Sequence, residues 1–259
     1  MELLFSGTLS LGSLVYFYRL ATSPSALPSS LQTRVQGYGA PDAAFTTILV
    51  LWFLTNIIGS GNRLVELDTR MLIVGALFSL LLLSIVVSFL LLRARNPLDL
   101  FGLQGVPLSS NLKAASIGLA AALPLVYFVH SLCLVLLGAY AEPQPLIQFL
   151  ARNPTLGDRM LLIGTALVIA PLAEELIFRG YIFGVLRRYV GKWWALLISA
   201  LVFAAIHAHI PSLAGLFALA ITLTLVYEGT GSLWAPILMH SLFNAITVVF
   251  TLVWPDLVK

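Results

Sequence analysis

The sequence predicts an all-α protein: a polytopic membrane bundle of about eight transmembrane helices, forming one domain. Three observations carry this. Of the 259 residues, 59% are hydrophobic and 10% charged, with a mean hydropathy of +0.99; a soluble domain carries about 25% charged residues. The apolar residues come in runs near the ~20 residues that a bilayer crossing takes. The Lys and Arg residues fall mainly between those runs.

The first run, residues 3–18, is interrupted by Gly and Ser and ends on the interfacial residues Tyr16, Tyr18 and Arg19. No basic segment precedes Leu3, so the run is expected to be a retained span and not a cleaved signal. Residues 21–42, rich in Pro, Ser and Gly, read as a loop, and a second span follows at 43–60. The third runs from Met71 to Leu92 and ends on Arg93 and Arg95. A linker with Pro97, Gly102, Gly105 and Pro107 leads to a fourth at 114–140, where Pro124 predicts a kink. Residues 142–158 hold three prolines around Leu146–Leu150, the pattern of a short interfacial helix.

From Arg159 the pattern changes. A single long helix is expected over residues 160–188, because no breaker follows Pro171 before Gly191. Its Gly180 and Gly184 form a GxxxG face that permits close helix contact. Arg187, Arg188 and Lys192 mark a basic turn, followed by spans at 193–208, 213–227 and Trp234–Trp254. Of the fourteen Lys and Arg residues, nine, Arg179 included, belong to the side carrying the loops after spans one, three, five and seven. That side is expected to be cytoplasmic.

Composition also excludes functions. The net charge of +3 is scattered and forms no stripe, so nucleic acid is not an expected partner. A single cysteine, Cys133, rules out an internal disulfide and a cysteine-based metal cluster.

Chemistry concentrates in Ala170–Gly180, where two acids and a base interrupt an apolar run. A charge at membrane depth costs about 2.5–3.5 kcal/mol on insertion scales and is kept where it finds a partner or a wet cavity. Glu175 and Arg179, at i and i+4, can pair on one helix face, while Glu174 points about 100° away and has no local partner. Pro171 lacks an N–H, so it should bend the helix before the acids and leave a carbonyl needing a side chain or water.

Glu174 lies about 16 residues before the basic turn and His207 about 14 after it, so antiparallel helices bring them to similar depth. His240 and Asn244 share a face of the last span at i and i+4. Glu174, His207, His240 and Asn244 are therefore the candidate catalytic residues, buttressed by Glu175 and Arg179. A carboxylate and an imidazole can take a proton from water, while a second His and an Asn can donate to an oxyanion. Equally, Glu174, His207 and His240 could be the three ligands of a Zn²⁺ that lowers the pKa of its bound water. Phe203 reads as core packing, His130 as a packed polar residue facing another helix, and His209 as interfacial. There is no His-Glu-x-x-His, Gly-x-Ser-x-Gly or Gly-x-Gly-Asp motif, so zinc site-2-type, serine and aspartyl intramembrane proteases find no support.

Glu174-Glu175-x-x-x-Arg179, Phe203-x-x-x-His207 and His240-x-x-x-Asn244, in this order on successive apolar helices, resemble the three motifs of the CPBP family of intramembrane proteases. That family includes CAAX prenyl endopeptidases and the bacterial Abi and bacteriocin-processing proteins. The resemblance covers about residues 160–250. It implies an eight-helix fold in a bacterial cell membrane and proteolysis of a peptide or membrane-anchored protein, in contact with membrane lipids. Glu174 and His207 would activate water and His240 and Asn244 would stabilise the oxyanion, or the same residues would hold a metal. On this reading 1–259 is one membrane domain, with 159–254 as the catalytic core and 1–158 as helices of unassigned role. Two alternatives belong to other classes: a non-catalytic protein of bacteriocin immunity or scaffolding, and a small transporter with Glu174 as proton carrier. The absence of an inverted repeat counts against the transporter.

Overall fold

The computed structural model describes residues 2–22, 34–60, 67–138, 144–152 and 154–254, and among them the regular structure is helical. In chain order the helices are α1 (Glu2–Thr22), α2 (Ala40–Ser60), α3 (Thr69–Leu92), the short α4 (Pro97–Leu100), α5 (Leu108–Leu137), the short α6 (Pro145–Ala151), α7 (Leu156–Val190), α8 (Lys192–Ala205), α9 (Ile210–Thr230) and α10 (Trp234–Val253). Six of these, α2, α3, α5, α7, α9 and α10, are long and apolar enough to cross a membrane. The chain is an integral, multi-pass membrane bundle. The expected count of about eight is reached by adding α1 and α8. The latter has 14 residues, about 21 Å at 1.5 Å per residue, short of a hydrocarbon core of roughly 30 Å.

The surface agrees with this setting. Large apolar side chains such as Leu92, Ile58, Leu136 and Val74 face outward, while Ser6, Ser10 and Ser13 of α1 are buried. Ser10 Oγ donates to Pro124 O of α5 at 3.0 Å, the small-polar contact through which membrane helices associate. Helix α5 continues through Pro124. The residues 142–158 contain the expected short helix as α6, with 142, 143 and 153 outside the described residues.

Helix α5 packs on α1, α9 and α10, and α8 packs between α7 and α9. Helix α7 meets α3 and α10 over its first part and α8 over its second. Several basic residues at one end of the bundle anchor it. Lys192 Nζ donates to Ala21 O at 3.0 Å, Arg34 to Gly231 O at 2.7 Å, and Arg188 to Gln36 O. Arg93 pairs with Asp42, and the buried Glu228 takes Arg187 and, at 3.6 Å, Lys192. Desolvation lowers the pKa of Lys192, opposing its charge, and Arg187 nearby lowers it further.

The GxxxG face serves close contact of another kind. A Cβ on Gly180 would stand 2.9 Å from the Phe101 ring, and one on Gly184 would stand 2.7 Å from Tyr38. The glycines admit two aromatic rings from interhelical segments instead of a facing helix. Tyr38 OH then donates to Gly180 O at 2.7 Å. Gly184→Ala is expected to destabilise the protein by about 1–3 kcal/mol through overpacking, read as a lowered melting temperature in detergent.

Helix α7 is helical throughout its length, as expected, but not uniformly α. Two π-helical stretches, Thr165–Ile169 and Leu176–Ile182, flank the α turn Ala170–Glu175 that holds both acids. Such wide turns recur at functional sites.

Candidate active site

Glu174 and Glu175 are neighbours in sequence with opposite environments. Glu175 is fully buried. Its Oε1 accepts from Arg179 at 2.8 Å and from His240 Nδ1 at 2.9 Å. Arg179, also buried, reaches Ala220 O at 3.4 Å with its other nitrogen and lies 4.2 Å from the centre of the Phe203 ring. The expected i, i+4 pair is thus formed, and it has a third member, His240, which the sequence did not assign to it.

Glu174 stays clear of that pair. Its side chain is 21% exposed and is, among the described residues, the one charged group on the wall of a cavity of about 380 Å³. Trp52, Phe53 and Asn56 of α2, Phe78 and Ser79 of α3, and Phe178 of α7 supply half of the other lining residues. Trp52 stacks on Phe78 with ring centres 5.3 Å apart, which bridges α2 to α3, and Phe53 stacks on Phe178 at 5.5 Å. The N-terminal half, unassigned from sequence, therefore builds the outer side of the cavity. The available signal was Trp52 and Asn56 at i and i+4, an aromatic and an amide on one face of an apolar span.

His240 Nε2 lies 4.0 Å from Glu174 Oε2. With Nδ1 on Glu175 and Nε2 towards Glu174, the imidazole stands between the two acids. Because a carboxylate only accepts, Nδ1 carries hydrogen; Nε2 accepts in the neutral ring and donates when the ring holds both protons. The Phe203 ring separates the histidines, with its centre 6.0 Å from that of His240 and 5.0 Å from that of His207. Phe203 is core packing, as expected, and it also spaces the site.

His207 lies just beyond the end of α8 at Ala205, in the turn to α9. Its neighbours Ile206 and Ala208 line the cavity with Glu174. Ala208 adopts φ of 48°, a left-handed conformation unusual for a residue with a Cβ and of the kind that collects at active sites. His207 Nδ1 lies 2.8 Å from Phe203 O. A carbonyl there places the hydrogen on Nδ1 and leaves Nε2 as the acceptor.

Asn244 Nδ2 donates to Ala166 O of α7 at 2.8 Å, which spends one of its amide hydrogens on backbone. His209 Nδ1 meets Ser212 Oγ at 2.8 Å at the start of α9. His130 packs against Gly215 of α9, in line with its reading as a polar residue facing another helix. Among the described residues no three His, Cys, Asp or Glu side chains are grouped so as to hold a metal ion. His240 turns Nδ1 to Glu175 and His207 turns Nδ1 to Phe203 O, which leaves Nε2 of each ring open; a metal-ligating histidine makes the same outer contacts through its other nitrogen.

Parts of the chain are similar to known proteins. YdiL of Bacillus subtilis is 34% identical over 92 residues, which are 36% of this chain and 38% of YdiL. The membrane-embedded CAAX protease MroQ of Staphylococcus aureus is 35% identical over 98 residues, 36% of this chain and 40% of MroQ. A 24.3 kDa protein of Escherichia coli is 32% identical over 112 residues, 41% of this chain and 52% of that protein. The chain thus spans between about two fifths and half the length of these relatives. No solved structure matches it. Residues 156–246, from the first turn of α7 into α10 and with every motif residue inside, match the family described as type II CAAX prenyl endopeptidase Rce1-like.

Proposed function

We propose that this protein is a membrane-embedded endopeptidase, hydrolysing a peptide bond of a membrane-associated peptide or protein seated against Glu174. The observation that carries the reading is the contrast between the two acids. One is locked in a buried pair, and the other is, among the described residues, the single charge on the wall of an aromatic-lined cavity, within 4.0 Å of a histidine nitrogen. The family match supports it.

In the proposed reaction, the Glu174 carboxylate with His207 Nε2 takes a proton from a water in the cavity as that water attacks the scissile carbonyl carbon. The carbonyl oxygen becomes an oxyanion, which His240 Nε2 stabilises when its ring carries both protons, Glu175 fixing the ring from the far side. Collapse of the intermediate breaks the C–N bond, and the proton taken from water passes to the leaving amine. The apolar wall fits apolar residues or a lipid-anchored tail beside the scissile bond, and by the positive-inside rule the basic end of the bundle faces the cytoplasm.

The test is cleavage of a library of membrane-anchored peptides by the purified protein in proteoliposomes, with products read by mass spectrometry. His207→Ala is expected to lower kcat by about 10²–10⁴-fold with the melting temperature kept. If the wild type leaves every peptide intact and His207→Ala behaves identically, the protease reading fails and a binding or scaffolding role replaces it.

A further inference from the structure

The hydrogen bond from Asn244 falls where helix geometry leaves a gap. In the first π turn, Ala170 N–H reaches back five residues to Thr165 O. The next donor in that register, aimed at Ala166 O, would be the N–H of residue 171, which is Pro171 and has none. The α-helical donor to Ala166 O would be Ala170 N–H, already committed to Thr165 O. Ala166 O is therefore left without a backbone donor of its own helix. An unmet carbonyl at membrane depth costs several kcal/mol. Asn244 Nδ2 meets it at 2.8 Å, one turn along α10 from His240, which holds Glu175 at 2.9 Å.

We propose that Asn244 is a positioning residue: by capping the carbonyl that Pro171 orphans, it holds the π turn that sets the rotational phase of the acids. A π turn contains one residue more than an α turn, so relaxing it would rotate all that follows by about 100° relative to the rest of α7. Glu174 would then leave the cavity wall and Glu175 would leave His240. Asn244 thus acts on the reaction through α7, and its hydrogen bond to Ala166, not a contact with substrate, is the interaction that matters. The kinetic part of this rests on the protease reading; the structural part does not.

The test is a double-mutant cycle in the full chain, Asn244→Ala with and without Pro171→Ala, the latter returning an N–H to face Ala166 O. Asn244→Ala is expected to lower the melting temperature by several degrees in the wild-type background and by less than about a third of that in the Pro171→Ala background. In cleavage, Asn244→Ala should reduce kcat at least about tenfold with KM within about twofold, while the double variant recovers to within about threefold of Pro171→Ala alone. Equal losses of melting temperature in both backgrounds would overturn the proposal. So would coupled melting temperatures with kcat unrescued, which would mean that Asn244 meets the reacting atoms. If the wild type cleaves nothing, the melting cycle decides this proposal while the protease reading fails separately. Should Pro171→Ala not fold, Pro171→Gly restores the same N–H and carries the same cycle.

Discussion

Replacing Glu175 by Ala, or Arg179 by Met, is expected to destabilise the protein by about 3–5 kcal/mol, the usual consequence of removing one member of a buried ion pair. Both groups are buried, with relative exposures of 0% and 1%. Losing Glu175 strands the guanidinium with Ala220 O and the face of Phe203, and it takes away the acceptor of His240 Nδ1. Losing Arg179 leaves a carboxylate whose Oε2 already has no hydrogen-bond partner among the described residues. Thermal unfolding in detergent should show either single variant far below wild type. The double variant Glu175→Ala/Arg179→Met should recover more than half of the lost stability, because no uncompensated charge is left, yet stay inactive, since nothing then orients His240.

Glu174→Gln is expected to do the reverse. The residue is partly exposed in the cavity and lies 4.0 Å from His240 Nε2, so an isosteric amide should leave the melting temperature within a degree or two of wild type. Cleavage should fall by about 10²–10⁴-fold in kcat, the typical worth of a general base. Two adjacent glutamates thus separate a structural phenotype from a chemical one, and that separation is specific to the arrangement found.

Much of this was legible in the sequence because membrane spans are written in composition and because i, i+4 spacing is local. The Glu175–Arg179 pair and the placing of Glu174 clear of it follow from helix geometry alone; that Ile206 and Ala208, on either side of His207, share a cavity with Glu174 depends on the turn after α8. The partner of His240 did not. Its depth depends on the α9–α10 turn, which is recessed: Ser232 and Leu233 are fully buried, Arg34 caps Gly231 O, and Trp234 Nε1 donates to Leu103 O at 3.1 Å. Such a turn is tertiary and leaves no periodic trace. The π turns were invisible for a similar reason, although Pro171 announced the orphaned carbonyl that Asn244 meets. Gly180 and Gly184 signalled close approach correctly, but spacing cannot say whether a helix or a pair of aromatic rings will arrive.

Hydrolysis at Glu174 is tested by mass spectrometry of a membrane-anchored peptide library after incubation with wild type and Glu174→Gln in proteoliposomes, beside the melting temperature of each. A hydrolysing Glu174 predicts defined internal cuts by the wild type, their loss in the variant, and matching melting temperatures. Equal cleavage by both proteins, at equal stability, would contradict it.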